Sequence, residues 1–296
     1  MSRTIAEARA LRYLPPMPEL PEVETVRRAL AARLDGRRIA RVLVRRRILR
    51  VALPRDFECR LQSARIARVD RRAKYLLVRL EGGTVLVAHL GMSGRMRLFR
   101  QPGPAHERHD HVEIETDDGT ILRFNDPRRF GLMALIPEEK LAGHKWFRAL
   151  GPEPLAPGFD GEALAKRLGG RKTSLKAALM DQRTVAGLGN IYVSEALFRA
   201  GLSPSRRAGS VKGPRAVKLA RAIRDVLEAA IEAGGSSLRD HRQPDGELGY
   251  FQHAFAVYDR EGKQCPGCVC DVAKTGGICR MVQGGRATFY CPRKQS

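Results

Sequence analysis

The hydrophobic periodicity of this chain changes once, and that change limits the possible fold more than any other feature. Short runs with alternating apolar residues fill positions 39–136, a pattern typical of β-strands. Beyond the joint Gly151-Pro152-Glu153-Pro154 the apolar residues recur at helical spacing instead. We therefore predict a multidomain α+β protein, with a β-rich part followed by a helical part.

The β-rich part is expected to be a β-sandwich or barrel-like domain preceded by one helix. Residues 19–34 carry Val23, Val26 and Leu30 at helical spacing. Gly82-Gly83 and Asp118-Gly119 are signals of hairpin turns. Seven segments are predicted strands: IARVLVRR, KYLLVRL, TVLVAHL, GRMRLF, HVEIET, TILRF and LMALI.

The helical part is predicted from four amphipathic segments. These are EALAKRL, SLKAALMDQ, NIYVSEALFRAG and PRAVKLARAIRDVLEAAIEAG. The polar, Gly-rich loop at 235–252 is long for a connector, which indicates a functional loop. Two strand-like stretches follow in the tail at 255–296, ICRMV and ATFYC.

Five of the six cysteines lie in this tail, beginning with the C-x-x-C pair Cys265 and Cys268. Such a terminal cluster is more typical of a metal site in a reducing cytosol than of a secreted disulfide framework. Cys59 stands alone and is expected to be a small buried apolar residue. No signal peptide is expected in residues 1–16, because charged residues interrupt every apolar run there.

The charge of the chain favours a polyanionic partner. Lys and Arg number 54 and Asp and Glu 32, which gives a formal net charge of +22. Nucleic acid is the first interpretation, and a solubilising basic surface or contact with anionic lipid are the alternatives. A membrane span is not expected, because the chain has no apolar run of the roughly 18 residues that one requires.

Eight motifs then occur in order across residues 17 to about 293. By itself, MPELPEVETV at 17–26 predicts only a proline-flanked helix start with acidic residues in its first turn. The other motifs are RAKYLL (72–77), HLGMSG (89–94), HDHV (109–112), DPRRFG (126–131), LGPEP (150–154), GLGNIY (187–192) and RATFYC (286–291). Together they resemble the formamidopyrimidine-DNA glycosylase (Fpg/MutM) family. Leu20 favours its purine-directed branch over the related endonuclease VIII branch.

The resemblance implies a bacterial cytoplasmic enzyme that acts as a monomer on damaged double-stranded DNA. It implies excision of oxidised purines through a Schiff base, followed by β,δ-elimination. Pro18 would be the nucleophile, Glu19 the acid, and Lys74 and Arg286 the proton donors of the two eliminations.

The resemblance also implies a set of DNA contacts. Met92, Arg128 and Phe130 would fill the gap left by a flipped nucleotide. His109, Arg128, Arg171 and Asn190 would hold phosphates, Glu22 would brace the site, and the loop near 235–251 would close over the base. The implied domains are an extension at 1–17, a catalytic β-sandwich at 18–148, a helix–two-turn–helix (H2TH) domain at 149–254 and a zinc-finger-type β-hairpin at 255–296.

Two departures from the family pattern bear on chemistry. Pro18 is preceded by Met17, and an internal proline nitrogen is a tertiary amide without nucleophilic character. We expect translation to start at Met17 and this methionine to be removed. In the second departure, Lys294 stands where the family has its fourth zinc-binding cysteine. We expect one structural Zn²⁺ on Cys265, Cys268, Cys291 and Cys270, with Cys279 as second choice and a metal-free hairpin as the alternative.

Three other functions compete with this prediction. A blocked Pro18 is compatible with a non-catalytic DNA-binding protein. The pyrimidine-directed branch of the family is the second competitor, and a basic structural or ribosomal protein is the third, although it would not require the motif set.

Overall fold

The structure, a computed structural model, describes residues 17–236, 244, 249–269 and 271–296. Residues 1–16, most of the predicted lesion-capping loop at 235–251, and Cys270 lie outside the described part of the chain.

The β-rich part is a sandwich of two four-stranded antiparallel sheets. The strands are β1 Ile39–Val44, β2 Ile66–Arg72, β3 Tyr75–Leu80, β4 Thr84–His89, β5 Arg95–Arg100, β6 Asp110–Thr116, β7 Thr120–Asn125 and β8 Leu132–Pro137. One sheet has the strand order β1-β6-β7-β5 and the other β2-β3-β4-β8. The seven predicted strands are all present. The eighth, β2, was missed because Arg and Asp interrupt its alternation and a register shift falls between Ile66 and Arg68.

Some helices pack against the sandwich and the others form the second lobe. The helices are α1 Leu20–Leu34, α2 Phe57–Leu61, α3 Glu138–Leu141, α4 Gly161–Leu168, α5 Leu175–Met180, α6 Asn190–Ala200, α7 Pro214–Glu232 and α8 Val272–Thr275. The helical segments predicted from periodicity correspond to α1 and to α4, α5, α6 and α7. No helix in the described residues is long and apolar enough to cross a membrane.

Helix α1 belongs to both lobes at once. Its first residue, Leu20, packs into the core of the helical lobe. One turn later, Val23 and Val26 pack into the core between the two sheets. The start of α1 therefore lies at the junction of the lobes, and it brings the acidic residues of its first turn to that junction.

The C-terminal tail forms the predicted hairpin, β9 Cys279–Gln283 and β10 Arg286–Tyr290. Phe289 and Cys291 are buried in the same apolar core as the helices of the second lobe. Because this core is continuous, the hairpin is docked on the helical lobe, and its tip at Gly284-Gly285 points away from that core.

The expectation that Cys59 is buried is wrong. Cys59 is exposed on the short helix α2, whose Phe57 and Leu61 face the core instead. Phe57 and Leu61 are about one helical turn apart and therefore share the face that is turned to the core. Cys59, midway between them in sequence, lies on the opposite face.

Candidate active site

A cavity of about 830 Å³ opens between the β-sandwich, the helical lobe and the C-terminal hairpin. It is the place where most of the predicted catalytic residues meet. Five predicted site residues line it: Glu19, Lys74, Met92, Asn190 and Arg286. They come from five separate segments of the chain, so the cavity exists only in the folded, docked arrangement.

Glu19 is buried at the start of α1, and its carboxylate faces the N-terminus of α6. Oε1 accepts a hydrogen bond from the Ile191 N–H at 3.0 Å, and Oε2 accepts one from the Tyr192 N–H at 3.5 Å. Helix N-termini favour a carboxylate, and the charge of Lys74 does so too. Burial outweighs both and, with nearby Glu22, raises the pKa of Glu19 to about 7. A carboxylic acid with this pKa can donate a proton at neutral pH.

Two glycines of the GLGN turn make the close approach of α1 possible. Gly187 has φ +88°, and a Cβ there would lie 2.6 Å from the Leu20 side chain. At Gly189 a Cβ would lie 2.3 Å from the carboxyl carbon of Glu19. Real Cβ atoms do not approach other atoms so closely. The turn can therefore pack against Leu20 and Glu19 only if residues 187 and 189 are glycines.

Glu22 joins the first turn of α1 to the helical lobe. Its Oε2 accepts a hydrogen bond from the Glu19 N–H at 3.0 Å. Its Oε1 accepts from the Tyr192 hydroxyl at 2.5 Å and from both the N–H and the hydroxyl of Ser236 at 2.8 Å. The buried carboxylate is thereby fully hydrogen-bonded and holds the backbone of Glu19 in place.

Lys74 lies in the two-residue turn between β2 and β3, after Ala73 at φ +53°. Glu153 fixes this turn by accepting hydrogen bonds from the Ala73 N–H (2.6 Å), Arg72 (2.6 Å) and Arg71 (2.8 Å). Lys74 itself is buried, and burial lowers the pKa of its ammonium group although nearby carboxylates oppose the effect. Because Glu153 belongs to the joint between the lobes, residues 151–154, this joint fixes the turn that carries Lys74.

Arg286 is the first residue of β10; it is exposed and lines the cavity. The hairpin beside it is anchored by Lys176, whose ammonium group donates to the Ala287 carbonyl at 2.9 Å and to the Thr288 hydroxyl at 2.5 Å. Asn190 donates to the same Ala287 carbonyl at 3.0 Å. Burial, together with the charge of Arg286, lowers the pKa of Lys176 to about 7. Sequence reasoning missed Lys176, which no local signal distinguishes from other lysines.

Pro18 is buried directly before Glu19, and Met17 lines the cavity. With Met17 attached, the proline nitrogen is part of an amide bond, and the methionine contributes to the wall of the cavity. The chemistry expected of Pro18 therefore requires that Met17 be absent.

The three predicted gap-filling residues come from two neighbouring loops. Arg128 lies over the ring of Phe130, with its guanidinium carbon 4.6 Å from the ring centroid, and both side chains are exposed. Met92, in the other loop, lines the cavity. The loops are joined where the Ser93 hydroxyl donates to Asp126 at 2.5 Å and accepts from the Arg128 N–H at 3.2 Å. A flexible apolar side chain, a cation and a ring are thus presented together beside the cavity.

Two predicted phosphate-binding residues lie elsewhere. His109 is half-buried beside His111, with ring centroids 6.3 Å apart. Arg171 donates to the Arg167 carbonyl at 3.0 Å and pairs with Asp181 at 3.2 Å. Neither lines the cavity, so any phosphates that they bind lie farther along the surface.

His89 is a cavity residue that the sequence prediction overlooked. Its Nδ1 accepts the Gly91 N–H at 2.9 Å, so Nε2 carries the ring proton. Burial, reinforced by Lys74 and Arg50, lowers the pKa of His89 to about 4. The ring is therefore neutral at pH 7 and can act as a hydrogen-bond donor. The sequence signal that could have identified His89 is its position at the end of a predicted strand, where the motif HLGMSG begins.

Three cysteine sulfur atoms meet at the base of the hairpin. The Sγ of Cys265 lies 2.7 Å from that of Cys268 and 3.4 Å from that of Cys291, and the Cys268–Cys291 distance is 3.6 Å. This group can hold a metal ion. Cys279 does not join it: its Sγ faces the Gly277 carbonyl at 3.8 Å.

Lys294, at the position of the expected fourth cysteine, carries an ammonium group, which is not a normal zinc ligand. Its ammonium nitrogen lies 4.1 Å from the centroid of the Phe198 ring. Cys270, our first choice for the fourth ligand, lies outside the described residues.

Comparison with known proteins agrees with this arrangement. Residues 17–133 match the formamidopyrimidine-DNA glycosylase N-terminal domain model, and residues 150–242 match the H2TH domain model of the same family. A formamidopyrimidine-DNA glycosylase of Rhodospirillum rubrum is 58% identical over 284 residues, covering 94% of this chain and all of the relative. One from Caulobacter vibrioides is 50% identical over 287 residues, covering 93% and 99%.

Solved structures resemble the chain over the same length. The MutM (Fpg) protein of Thermus thermophilus has a TM-score of 0.81 at 42% identity, covering 94% of this chain and 98% of that one. Lactococcus lactis Fpg in complex with DNA containing an abasic site has a TM-score of 0.83 at 32% identity, covering 94% and 99%. The same enzyme has been solved with DNA containing N7-benzyl-Fapy-dG, with a TM-score of 0.83 at 32% identity.

Proposed function

Because this chain belongs to the formamidopyrimidine-DNA glycosylase family of DNA repair enzymes, we propose that it excises oxidised purines and then cuts the DNA strand. The substrates would be 8-oxoguanine and formamidopyrimidines in double-stranded DNA. The observation that carries the proposal is the buried acid Glu19, with a pKa of about 7, which directly follows Pro18 and lines the same cavity as Lys74.

The proposed reaction begins at the nitrogen of Pro18 in a chain from which Met17 has been removed. As a terminal secondary amine it has a lone pair, and the reference pKa of an α-amino group, about 8, leaves a useful neutral fraction at pH 7. The nitrogen attacks C1′ of the flipped nucleotide, and the bond from C1′ to the base breaks. The C1′–O4′ bond then breaks and the nitrogen loses its own proton, so that an iminium joins Pro18 to the opened sugar. Glu19 and the nitrogen supply the two protons that the departing base and the ring oxygen O4′ take up.

The iminium makes the C2′ proton acidic, so its loss breaks the C3′–O bond in a β-elimination. Loss of a second sugar proton then breaks the C5′–O bond in a δ-elimination. We assign Lys74 and Arg286 as the proton donors to the departing groups, as the family resemblance implies. Both side chains line the cavity, and Lys176 and Asn190 hold the hairpin that carries Arg286.

We further propose that Met92, Arg128 and Phe130 fill the gap left by the flipped nucleotide, and that His109, Arg171 and Asn190 contribute to phosphate binding. The protein would act as a monomer on chromosomal DNA in the bacterial cytoplasm. The domain boundaries proposed from the sequence, 18–148, 149–254 and 255–296, are compatible with the sandwich, the helical lobe and the hairpin.

We propose a structural Zn²⁺ held by Cys265, Cys268 and Cys291, with Cys270 as the fourth ligand. Three sulfur atoms at mutual distances of 2.7–3.6 Å fit a thiolate-rich site. The metal would fix the base of the hairpin and thus the direction of Arg286, with no part in activating water.

Borohydride trapping tests the proposal. A chain beginning at Pro18 and one beginning at Met1 are each incubated with an 8-oxoguanine duplex and reductant. We expect a covalent adduct with the first chain only. A well-folded Pro18 chain that binds this duplex without ever being trapped would refute the mechanism.

The presence of Met17 in the cavity wall favours one second candidate, in which the chain retaining residues 1–17 binds damaged DNA without reacting. Intact-mass measurement of the protein from its natural cells decides which form exists. Release of thymine glycol in preference to 8-oxoguanine would instead place the chain with the pyrimidine-directed enzymes.

A further inference from the structure

Two aromatic side chains, Tyr75 and Trp146, form what we call the aromatic shelf on the sandwich side of the cavity. Both line the cavity. Their rings are nearly parallel, at an interplanar angle of 14° with centroids 6.2 Å apart. Trp146 is the single tryptophan of the chain. Tyr75 directly follows Lys74, so the shelf begins next to the catalytic machinery and extends outward from it.

The shelf is fixed to the wall behind it. Phe147 is buried in an apolar cluster with residues of β3, β4 and β8, and its ring lies 5.0 Å from that of Tyr75. The centroid of the Tyr75 ring also lies 4.8 Å from the centroid of the His89 ring. The backbone N–H of Trp146 donates to Nδ1 of His144 at 3.4 Å, and the His144 ring packs edge-on against the indole with the ring centroids 4.6 Å apart. The indole is thereby held in place but only half-buried, with surface left for a ligand.

A cation accompanies the shelf. Lys145 also lines the cavity, is exposed, and places its ammonium nitrogen 5.9 Å from the centroid of the Trp146 ring. Among the described residues no carboxylate lies within ion-pairing distance of this ammonium. Neighbouring His144 adds little charge, because burial and Lys145 lower the pKa of its ring. An unpaired cation beside a half-buried indole matches the two parts of a nucleotide, a phosphate and a flat apolar ring system.

We propose that the aromatic shelf binds the nucleotide next to the flipped one on the damaged strand, with Trp146 against its base or sugar and Lys145 at its phosphate. The contact does not depend on base identity, since every base offers a face for stacking. It holds the strand on the side of Lys74 while the hairpin side carries Arg286. This inference rests on the proposed function, because it takes the strand to pass through the cavity.

Intrinsic fluorescence tests the contact directly, because all tryptophan emission comes from Trp146. The chain beginning at Pro18 is titrated with a duplex carrying a tetrahydrofuran abasic analogue, which cannot form a Schiff base. We expect the emission to change with the same Kd that fluorescence anisotropy of labelled DNA reports. Unchanged emission while the anisotropy shows full binding would overturn the proposal.

Substitutions separate the ring from the cation. W146A is expected to weaken binding of the analogue about tenfold, whereas W146F, which keeps a ring, is expected to recover most of the loss. K145A is expected to lower the slope of log Kd against log salt by about one, as for the loss of one phosphate contact. K140A, an exposed lysine that does not line the cavity, is the matched control and is expected to leave the slope unchanged.

The outcomes distinguish this inference from the proposed function. If W146A and K145A bind the analogue with wild-type affinity and salt dependence, the shelf is not a DNA site, even if 8-oxoguanine excision proceeds normally. If instead the wild-type chain beginning at Pro18 never reacts with 8-oxoguanine DNA, the proposed function fails, whatever the emission of Trp146 shows. Should W146A fold poorly, W146F and the wild-type titration still decide the case.

Discussion

Replacing Glu19 with glutamine is expected to change the pH dependence of folding by an amount that follows from its environment. Its pKa rises from an ordinary 4.5 to about 7 in the folded protein, because burial disfavours the charged form. Below pH 4.5 both the folded and the unfolded chain hold the proton. Between pH 4.5 and 7 the unfolded chain releases it and the folded chain does not, so folding loses about 1.4 kcal/mol per pH unit.

The wild-type protein is therefore expected to lose about 3 kcal/mol of stability relative to E19Q as the pH rises from 4.5 to above 7. Above pH 7 the difference stays constant, because both states have then lost the proton. Denaturant unfolding of the two proteins at several pH values measures this difference. Effects common to both, such as loss of a metal at low pH, cancel in the comparison.

E228Q is the matched control, because Glu228 is exposed on α7. Its stability relative to the wild type is expected to be independent of pH over the same range. If the E19Q difference varied by less than about 1 kcal/mol between pH 4.5 and 8, the raised pKa of Glu19 would be refuted. The assignment of this residue as an acid at neutral pH would then lose its physical basis.

Three further predictions concern the surroundings of the site. G189A is expected to destabilise the fold by about 1–3 kcal/mol, measured by denaturant unfolding, because its methyl group would overlap the Glu19 carboxylate. An unchanged free energy of unfolding would contradict the close contact between residue 189 and Glu19. K176M removes the hydrogen bonds that anchor β10. It is expected to lower the ratio of δ- to β-elimination products, measured on a sequencing gel, about tenfold. An unchanged ratio would show that these hydrogen bonds do not position Arg286. C291S is expected to lose bound zinc in a metal assay while C279S keeps it, and equal zinc contents in the two variants would exclude the proposed ligand set.

Periodicity predicted most of the fold because it reports which side of an element is buried. It succeeded for the seven strands with clear alternation and for the long helices. It failed at β2, where the charged residues Arg68 and Asp70 are exposed and partly buried, respectively, and a register shift interrupts the pattern. The expectation that Cys59 is buried came from its residue type instead, and it is wrong because the five-residue helix α2 places Cys59 on its exposed side.

The site could be predicted in its components but not in its geometry. The motifs pointed to Glu19, Lys74 and Arg286, and all three line one cavity. The lysine that anchors the hairpin, Lys176, and the aromatic shelf residue Trp146 stayed hidden. Their importance comes from contacts made by the folded chain, such as the hydrogen bond from Lys176 to a carbonyl 111 residues away, and no pattern in the neighbouring sequence encodes such contacts.

The strength of the acid at the site depends on how the two lobes dock. Glu19 begins a helix whose Leu20 packs in one lobe and whose Val23 packs in the other. Its carboxylate binds the start of α6, 172 residues away, and burial there is the main cause of its raised pKa. A movement that separated the lobes would admit water to Glu19 and return its pKa toward 4.5. Docking of the lobes and the proton-donating ability of Glu19 are therefore linked, and the acid is fully formed only when the cleft is assembled.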